Sequence, residues 1–298
     1  MLPSLRHRLI ITAAAIAGAM IWLLVREPLM PADGGTGLSL FSARVGAVAA
    51  MGIILCAGIP VLMLGLVTST TGNPLSGIFA VAAALTLLAW RGGPIDGWMR
   101  GHDLPGGYLT LMGEVVLWHV GVISLLIIIQ ALREPLHARF PALAFNEHLG
   151  KDVKVTWPTA ASLAAAGACA VVGGGLAWTF IKYSASGQVV WSLIIAFTIG
   201  AMVAQSMFPQ SNPFGVLIGP MAVALIAYGW VLMHYSGHTQ VLRAHYEGQL
   251  PGIALALPIH YASAGILGCT LGLGWAQTID SAPQRNADAK ATSEPGST

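Results

Sequence analysis

Glu114 is the most unusual side chain of this sequence, because it is an acidic residue deep inside a long apolar stretch. A charged group at the centre of a membrane costs about 2.5–3.5 kcal/mol on insertion scales, so such residues are rare and face the interior of a helix bundle. A carboxyl in that position can share a proton or contact a substrate. Glu114 is therefore the first candidate for a substrate or ion pathway.

Two histidines lie in comparable apolar stretches. His260 follows Pro251 by nine residues, and Glu114 follows Pro105 by the same nine. If both prolines begin helices, the acid and the imidazole lie roughly 10–15 Å below one interface, where they could form a proton-sharing or substrate-contacting pair. His119 is a third candidate for this pathway, on another face of the helix that carries Glu114. The alternative is that these side chains only join helices by hydrogen bonds.

Three further histidines share a helical spacing and are the candidate metal ligands of the sequence: His234, His238 and His245. On a continuous helix all three would lie within a narrow arc, where neutral imidazoles could bind zinc, copper or haem iron or act together as a pH sensor. Ser236-Gly237 interrupts that helix, and no carboxylate or cysteine completes a ligand set. A wet interfacial loop is the alternative, and the sequence assigns no cofactor.

The remaining residues carry no catalytic signature. The sequence has no phosphate-binding loop, no His-Glu-x-x-His and no clustered carboxylates, so an enzyme is not favoured. The three cysteines are far apart inside apolar stretches and suggest neither pairing nor metal binding. A net charge of +2 without a basic tract gives no indication of a nucleic-acid partner.

The composition is that of an all-α, polytopic integral membrane protein. Of the 298 residues, 55% are hydrophobic and 9% are charged, and the mean hydropathy is +0.72. A soluble domain carries about 25% charged residues, so this chain cannot cover itself with a water-facing surface and must lie in a lipid bilayer. Apolar runs long enough to cross about 30 Å of hydrocarbon predict eight transmembrane helices, at 9–25, 43–67, 74–90, 107–132, 159–181, 188–208, 213–233 and 251–276.

Helix-start sequences support several of these boundaries. Asn73-Pro74 and Asn212-Pro213 each offer a capping side chain followed by a proline, and Pro105 and Pro251 precede two further spans. Lys and Arg residues are slightly more frequent on the side of the termini, which predicts both termini in the cytoplasm of a bacterial inner (plasma) membrane. Glycines in the fifth and last spans favour close helix packing.

The order of motifs suggests a parallel four-plus-four duplication. Asn-Pro, Trp, Arg-x-His and Leu-Pro-Gly occur in this order over 73–106 and again over 212–252. The resulting organisation is an N-terminal half over 1–132, a cytoplasmic connecting loop over 133–158, a C-terminal half over 159–277 and a disordered polar tail over 278–298. The alternative is that ordinary helix-start sequences arose twice in a chain of low complexity.

Two functions remain open on these observations. The first is a carrier or channel for a small solute or ion, with a pathway lined by Glu114, His260 and His119. The second is a non-transporting membrane subunit or scaffold of a larger complex, with protein partners and with a metal or haem on its outward histidines. Buried ionisable groups favour the first.

Overall fold

The computed structural model describes residues 5–32, 35–70, 74–139, 159–209 and 212–280, and these residues form an all-helical bundle without β-strands. In chain order the helices are α1 (Leu5–Leu24), α2 (Arg26–Leu29), α3 (Ala47–Thr70), α4 (Pro74–Arg91), α5 (Ile95–Gly101), α6 (Gly107–Arg139), α7 (Ala160–Phe180), α8 (Ser186–Met207), α9 (Phe214–His234), α10 (His238–Tyr246), α11 (Pro258–His260) and α12 (Ile266–Asp280). A 3₁₀ turn over Gly252–Leu255 precedes α11, and a π-helical turn over Tyr261–Gly265 joins α11 to α12.

Seven of the helices in the described part of the chain are long and apolar enough to cross a membrane: α1, α3, α4, α6, α7, α8 and α9. They match the first seven predicted spans, which are confirmed, and they identify an integral membrane protein. Much of their apolar surface is exposed, as lipid-facing helices require: Val48 of α3 is 88% exposed and Val171 of α7 is 75% exposed. The region of the eighth predicted span is α-helical only from Pro258 onward.

Two of the predicted helix starts have the expected residues. Pro74 begins α4, although Asn73 lies outside the described residues. The side chain of Asn212 accepts a hydrogen bond of 3.1 Å from the backbone N–H of Phe214 at the start of α9. Pro251 differs from the prediction, because the chain after it forms a 3₁₀ turn and an extended stretch.

The C-terminal helical segment lies in the centre of the bundle rather than at its edge. Every residue from 250 to 270 is buried. The segment packs against α4, α6, α8 and α9, so the polar groups of its irregular backbone must find partners inside the protein.

Glycines bring α8 and α12 into close contact. Gly268 and Gly272, four residues apart, both face α8: a Cβ atom on Gly268 would lie 2.5 Å from the carbonyl oxygen of Ile194, and one on Gly272 would overlap the carbonyl of Thr198. Gly274 faces open space instead. The predicted close packing is therefore present at two of these three glycines.

Two boundaries differ from the predicted domains. Helix α6 continues to Arg139 and α12 to Asp280, so the first residues of the predicted connecting loop and of the predicted tail are helical. The rest of both segments, 140–158 and 281–298, lies outside the described residues. The thiols of Cys169 and Cys269 lie within hydrogen-bonding distance, with their sulfur atoms 3.9 Å apart, and do not form a disulfide.

Candidate functional site

The carboxylate of Glu114 is fully buried in α6 and accepts three hydrogen bonds. The hydroxyl of Ser39 donates to Oε2 at 2.6 Å, and the backbone N–H of Leu40 donates to Oε1 at 3.0 Å. The indole Nε1–H of Trp118, one turn further along α6, donates to Oε1 at 3.2 Å. Both oxygens of the carboxyl group therefore act as acceptors, and no basic side chain pairs with it among the described residues.

The loop that reaches Glu114 connects α2 to α3. Its backbone N–H at Gly37 donates to the carbonyl of Gly92 at 3.0 Å, and Leu38 is completely buried. Thr36 lies so close to Gly97 of α5 that a Cβ atom there would overlap the Thr36 backbone. Glu114 thus fastens this loop over the junction of α4 and α5.

His119 is also completely buried, five residues after Glu114. Its Nδ1 atom lies 2.8 Å from the carbonyl oxygen of Val115. Since a carbonyl only accepts, Nδ1 must carry a proton, and Nε2 of the neutral ring is an acceptor. Nε2 has no hydrogen-bond partner among the described residues.

His260 has the opposite arrangement. Its Nδ1 atom accepts a hydrogen bond of 3.0 Å from the backbone N–H of Leu257, the residue that precedes α11. The neutral ring therefore carries its proton on Nε2. The backbone of Ala89 in α4 lies beside the ring, but Nε2 makes no hydrogen bond of good geometry within the described part of the chain.

The structure does not bring Glu114 and His260 together as a hydrogen-bonded or ionic pair. Every described hydrogen bond of Glu114 goes to Ser39, Leu40 or Trp118, and that of His260 goes to Leu257. Glu114 is the eighth residue of its helix, whereas His260 is the third of α11. Glu114 and His260 each follow a proline by nine residues, but they do not lie at the same distance from the start of their helices.

A group of residues that sequence reasoning missed surrounds the segment from Leu250 to Leu257, which we call the broken segment because a 3₁₀ turn and extended residues stand there in place of an α-helix. The hydroxyl of Tyr228 in α9 donates to the carbonyl of Ala256 at 2.6 Å, and that of Tyr261 donates to the carbonyl of Ile253 at 2.5 Å. The hydroxyl of Tyr108 in α6 approaches the carbonyl of Ala254 at 3.5 Å, a longer and weaker contact. Tyrosine hydroxyls thus replace the missing backbone hydrogen bonds.

The three tyrosines belong to a continuous row of aromatic rings. Trp98 of α5 lies edge-on to Tyr108, with centroids 5.9 Å apart, and Tyr108 lies 5.7 Å from Tyr228. Tyr228 in turn lies 6.3 Å from Tyr261. Because aromatic pairs of this kind add packing energy, the row holds the broken segment against α5, α6 and α9.

The histidines predicted as metal ligands have separate partners. His234 stacks on Trp230 with centroids 3.6 Å apart. Nε2 of His245 lies 2.9 Å from the carboxylate of Asp96 and joins α10 to α5. Within the described ranges, no three histidine, cysteine or acidic side chains form a group that could hold a metal ion. His238 therefore does not join His234 and His245 in such a group.

A polar pocket of about 520 Å³ opens beside this α5–α10 contact. It is lined by Thr36, Asp96, Gly97 and Arg100, among others. The Nε–H of Arg100 donates to the hydroxyl of Tyr246 at 3.1 Å. The pocket, the loop over Glu114 and the start of the broken segment, which follows α10, therefore lie at the same end of the bundle, which we call the α5/α10 end.

These features define a polytopic α-helical membrane protein with a buried polar centre near the α5/α10 end. Comparison with known proteins adds no further assignment: no protein family model, no curated protein and no solved structure matches this chain.

Proposed function

We propose that this protein is a carrier or channel for a small solute or ion, and that its pathway passes the broken segment. The observation that supports this proposal is the buried backbone from Leu250 to Leu257, which is not α-helical. Non-helical backbone at membrane depth is tolerated where protein surrounds it or where it lines a water-filled cavity, and discontinuous helices of this kind form the substrate sites of many transporters.

The depth of the broken segment agrees with such a role. Tyr228, whose hydroxyl binds the carbonyl of Ala256, lies six residues before the end of α9, or about 9 Å below the α5/α10 end at 1.5 Å per residue. The polar pocket lined by Asp96 and Arg100 lies at that end and would serve as the entrance. A solute entering there would meet the carbonyls that the tyrosines occupy in this closed conformation.

Two buried imidazole atoms are available to a passing solute. Nε2 of His260 is a donor beside the backbone of Ala89, Nε2 of His119 is an acceptor, and neither makes a hydrogen bond of good geometry among the described residues. An unpartnered buried polar atom costs about 1–3 kcal/mol, a cost that binding of a polar solute or a water would offset. Glu114 has a different role in this proposal: it holds the loop that closes the α5/α10 end.

The eighth crossing and the duplication form part of the proposal. Residues 258–280 make 23 consecutive helical positions, about 34 Å in length, which is enough for a bilayer core of about 30 Å.

The packing offers partial support for related halves, because α1 packs on α4 as α7 packs on α9, and α6 packs on α9 as α12 packs on α4. With eight crossings, both termini lie on the side opposite to the α5/α10 end, and we infer that this side is the cytoplasm.

Transport measurements with two histidine variants test the proposal. Purified protein in liposomes is screened for currents with small ions, amino acids and organic acids. We expect His260→Gln to lower the flux about tenfold, equal to about 1.4 kcal/mol of barrier, because the amide oxygen still accepts from Leu257 while Nε2 is lost. His234→Gln, at the exposed end of α9, is the matched control and should leave the flux unchanged.

The two variants separate transport from folding. If His260→Gln has the melting temperature of the unchanged protein and a reduced flux, the role of Nε2 in the pathway is supported. A flux that neither substitution alters would contradict the proposed pathway. Partners that co-purify with a protein inactive in every assay would favour a membrane subunit of a larger complex.

A further inference from the structure

A second feature of the molecule lies on its lipid-facing side, in a groove between α1 and α3. The groove has a volume of about 560 Å³ and almost entirely apolar walls. Leu24 and Val25 form one wall at the end of α1, and the other wall runs along α3 from Ala49 through Gly52 to Pro60. Because Gly52 carries no side chain, the groove is open where a larger residue would fill it.

The length of the groove corresponds to one leaflet of a bilayer. From Ala49 to Pro60 the groove follows eleven residues of α3, which is about 16 Å at 1.5 Å per residue. Half of a hydrocarbon core of about 30 Å is about 15 Å. The groove therefore begins near one interface and ends near the bilayer centre, as a single acyl chain does.

Arginines stand at the interfacial end of this groove. Arg26 follows Val25 directly, and its Nε–H donates to the carbonyl of Arg91 at 2.8 Å, its one hydrogen bond to the described residues. Arg44 lies three residues before α3, with Nη1 at 3.9 Å from Glu27. The side chains of Arg44 and Glu27 are 65% and 79% exposed. Among the described residues next to the groove, Arg26 and Arg44 face one acidic side chain, that of Glu27, so these residues carry an excess of positive charge.

We propose that this groove binds one anionic phospholipid, with an acyl chain along α3 and the phosphate headgroup at Arg26 and Arg44. Charge complementarity supports an anionic lipid over a helix of a second chain, because an apolar helix would offer no anion to the excess positive charge at Arg26 and Arg44. Basic side chains at a membrane surface attract anionic lipids by about 1 kcal/mol each. Each arginine thus contributes a preference of about fivefold for an anionic over a zwitterionic lipid.

Native mass spectrometry of the purified protein tests this assignment. The protein is mixed in detergent with phosphatidylglycerol or with phosphatidylcholine of the same acyl chains, and the bound lipid is counted. We expect the protein to retain one phosphatidylglycerol in preference to phosphatidylcholine. The double variant Arg26→Gln/Arg44→Gln should lose this preference and bind both lipids equally.

A pair of glycine variants on α3 tests the position of the acyl chain. A Cβ atom on either Gly52 or Gly58 meets no other atom within 4 Å, and Gly58 does not line the groove. We expect Gly52→Leu to abolish the tightly held phosphatidylglycerol and Gly58→Leu to retain it. Equal retention of the two lipids by the unchanged protein would overturn the proposal. An undiminished lipid count in Gly52→Leu would also overturn the proposal. If that variant keeps the lipid but no longer forms a dimer, the groove binds a helix of a second chain instead.

Discussion

Replacement of Glu114 by alanine is expected to lower the free energy of unfolding by about 3–5 kcal/mol. The carboxylate is completely buried and accepts hydrogen bonds from Ser39, Leu40 and Trp118. Each donor that loses its acceptor in a buried place costs about 1–3 kcal/mol, and the missing side chain leaves a cavity besides. The measurement is unfolding in mixed detergent micelles, followed by tryptophan fluorescence.

Two variants separate the hydrogen bonds from the shape of the side chain. Glu114→Gln keeps the volume and one acceptor oxygen, so it should cost only about 1 kcal/mol. Glu134→Ala removes an exposed acidic side chain of the same helix and should change the stability by less than about 0.5 kcal/mol. If Glu114→Ala were as stable as Glu134→Ala, the anchoring of the loop by Glu114 would be excluded.

The second large effect is expected at Gly272. A Cβ atom there would overlap the carbonyl of Thr198 and lie 2.8 Å from the Cβ of Ala201, so Gly272→Ala must push α8 and α12 apart. Overpacking of this kind costs about 1–3 kcal/mol, which exceeds the gain of about 1 kcal/mol from the better helix former. We expect a lower melting temperature in detergent.

Gly274→Ala is the matched control for this substitution. Gly274 lies two residues further along the same helix and faces open space, so the same change should be neutral or stabilising by up to about 1 kcal/mol. A melting temperature of Gly272→Ala at or above that of Gly274→Ala would mean that α8 and α12 do not pack through this glycine.

The spans were predictable from the sequence because their signal is local. A run of about 20 apolar residues needs no knowledge of its neighbours, and α4 begins at Pro74 as expected. The glycines of α12 were predictable as a packing surface for the same reason, since Gly268 and Gly272 recur four residues apart on one helix face. Which helix they face was not predictable, because that depends on the whole bundle.

The partners of Glu114 illustrate what a sequence does not mark. A buried acid suggests a basic partner, and His260 was the candidate. The actual donors are a hydroxyl, an indole and the backbone N–H of Leu40. Any residue except proline offers a backbone N–H, so the loop carrying Ser39 and Leu40 has no distinguishing pattern.

The tyrosines of the broken segment could have been found. Tyr228 and Tyr261 lie in apolar runs, where a buried hydroxyl needs a partner, and Pro258 inside the predicted eighth span removes a backbone hydrogen bond there. Together these residues indicate a backbone whose carbonyls are free to accept. The carbonyls of Ile253 and Ala256 are those acceptors.

The most direct test of the proposed pathway is the reaction of a cysteine at Ala256 with a charged, membrane-impermeant thiol reagent. The chain first has Cys56, Cys169 and Cys269 replaced, and Ala196→Cys, in the interior of α8, is the control; both alanines are completely buried. We expect Ala256→Cys to be modified in membranes, since a pathway must admit water to the broken segment during opening, and Ala196→Cys to remain unmodified. An Ala256→Cys variant as unreactive as Ala196→Cys, with every ion and solute of the transport panel present, would contradict a pathway through this segment.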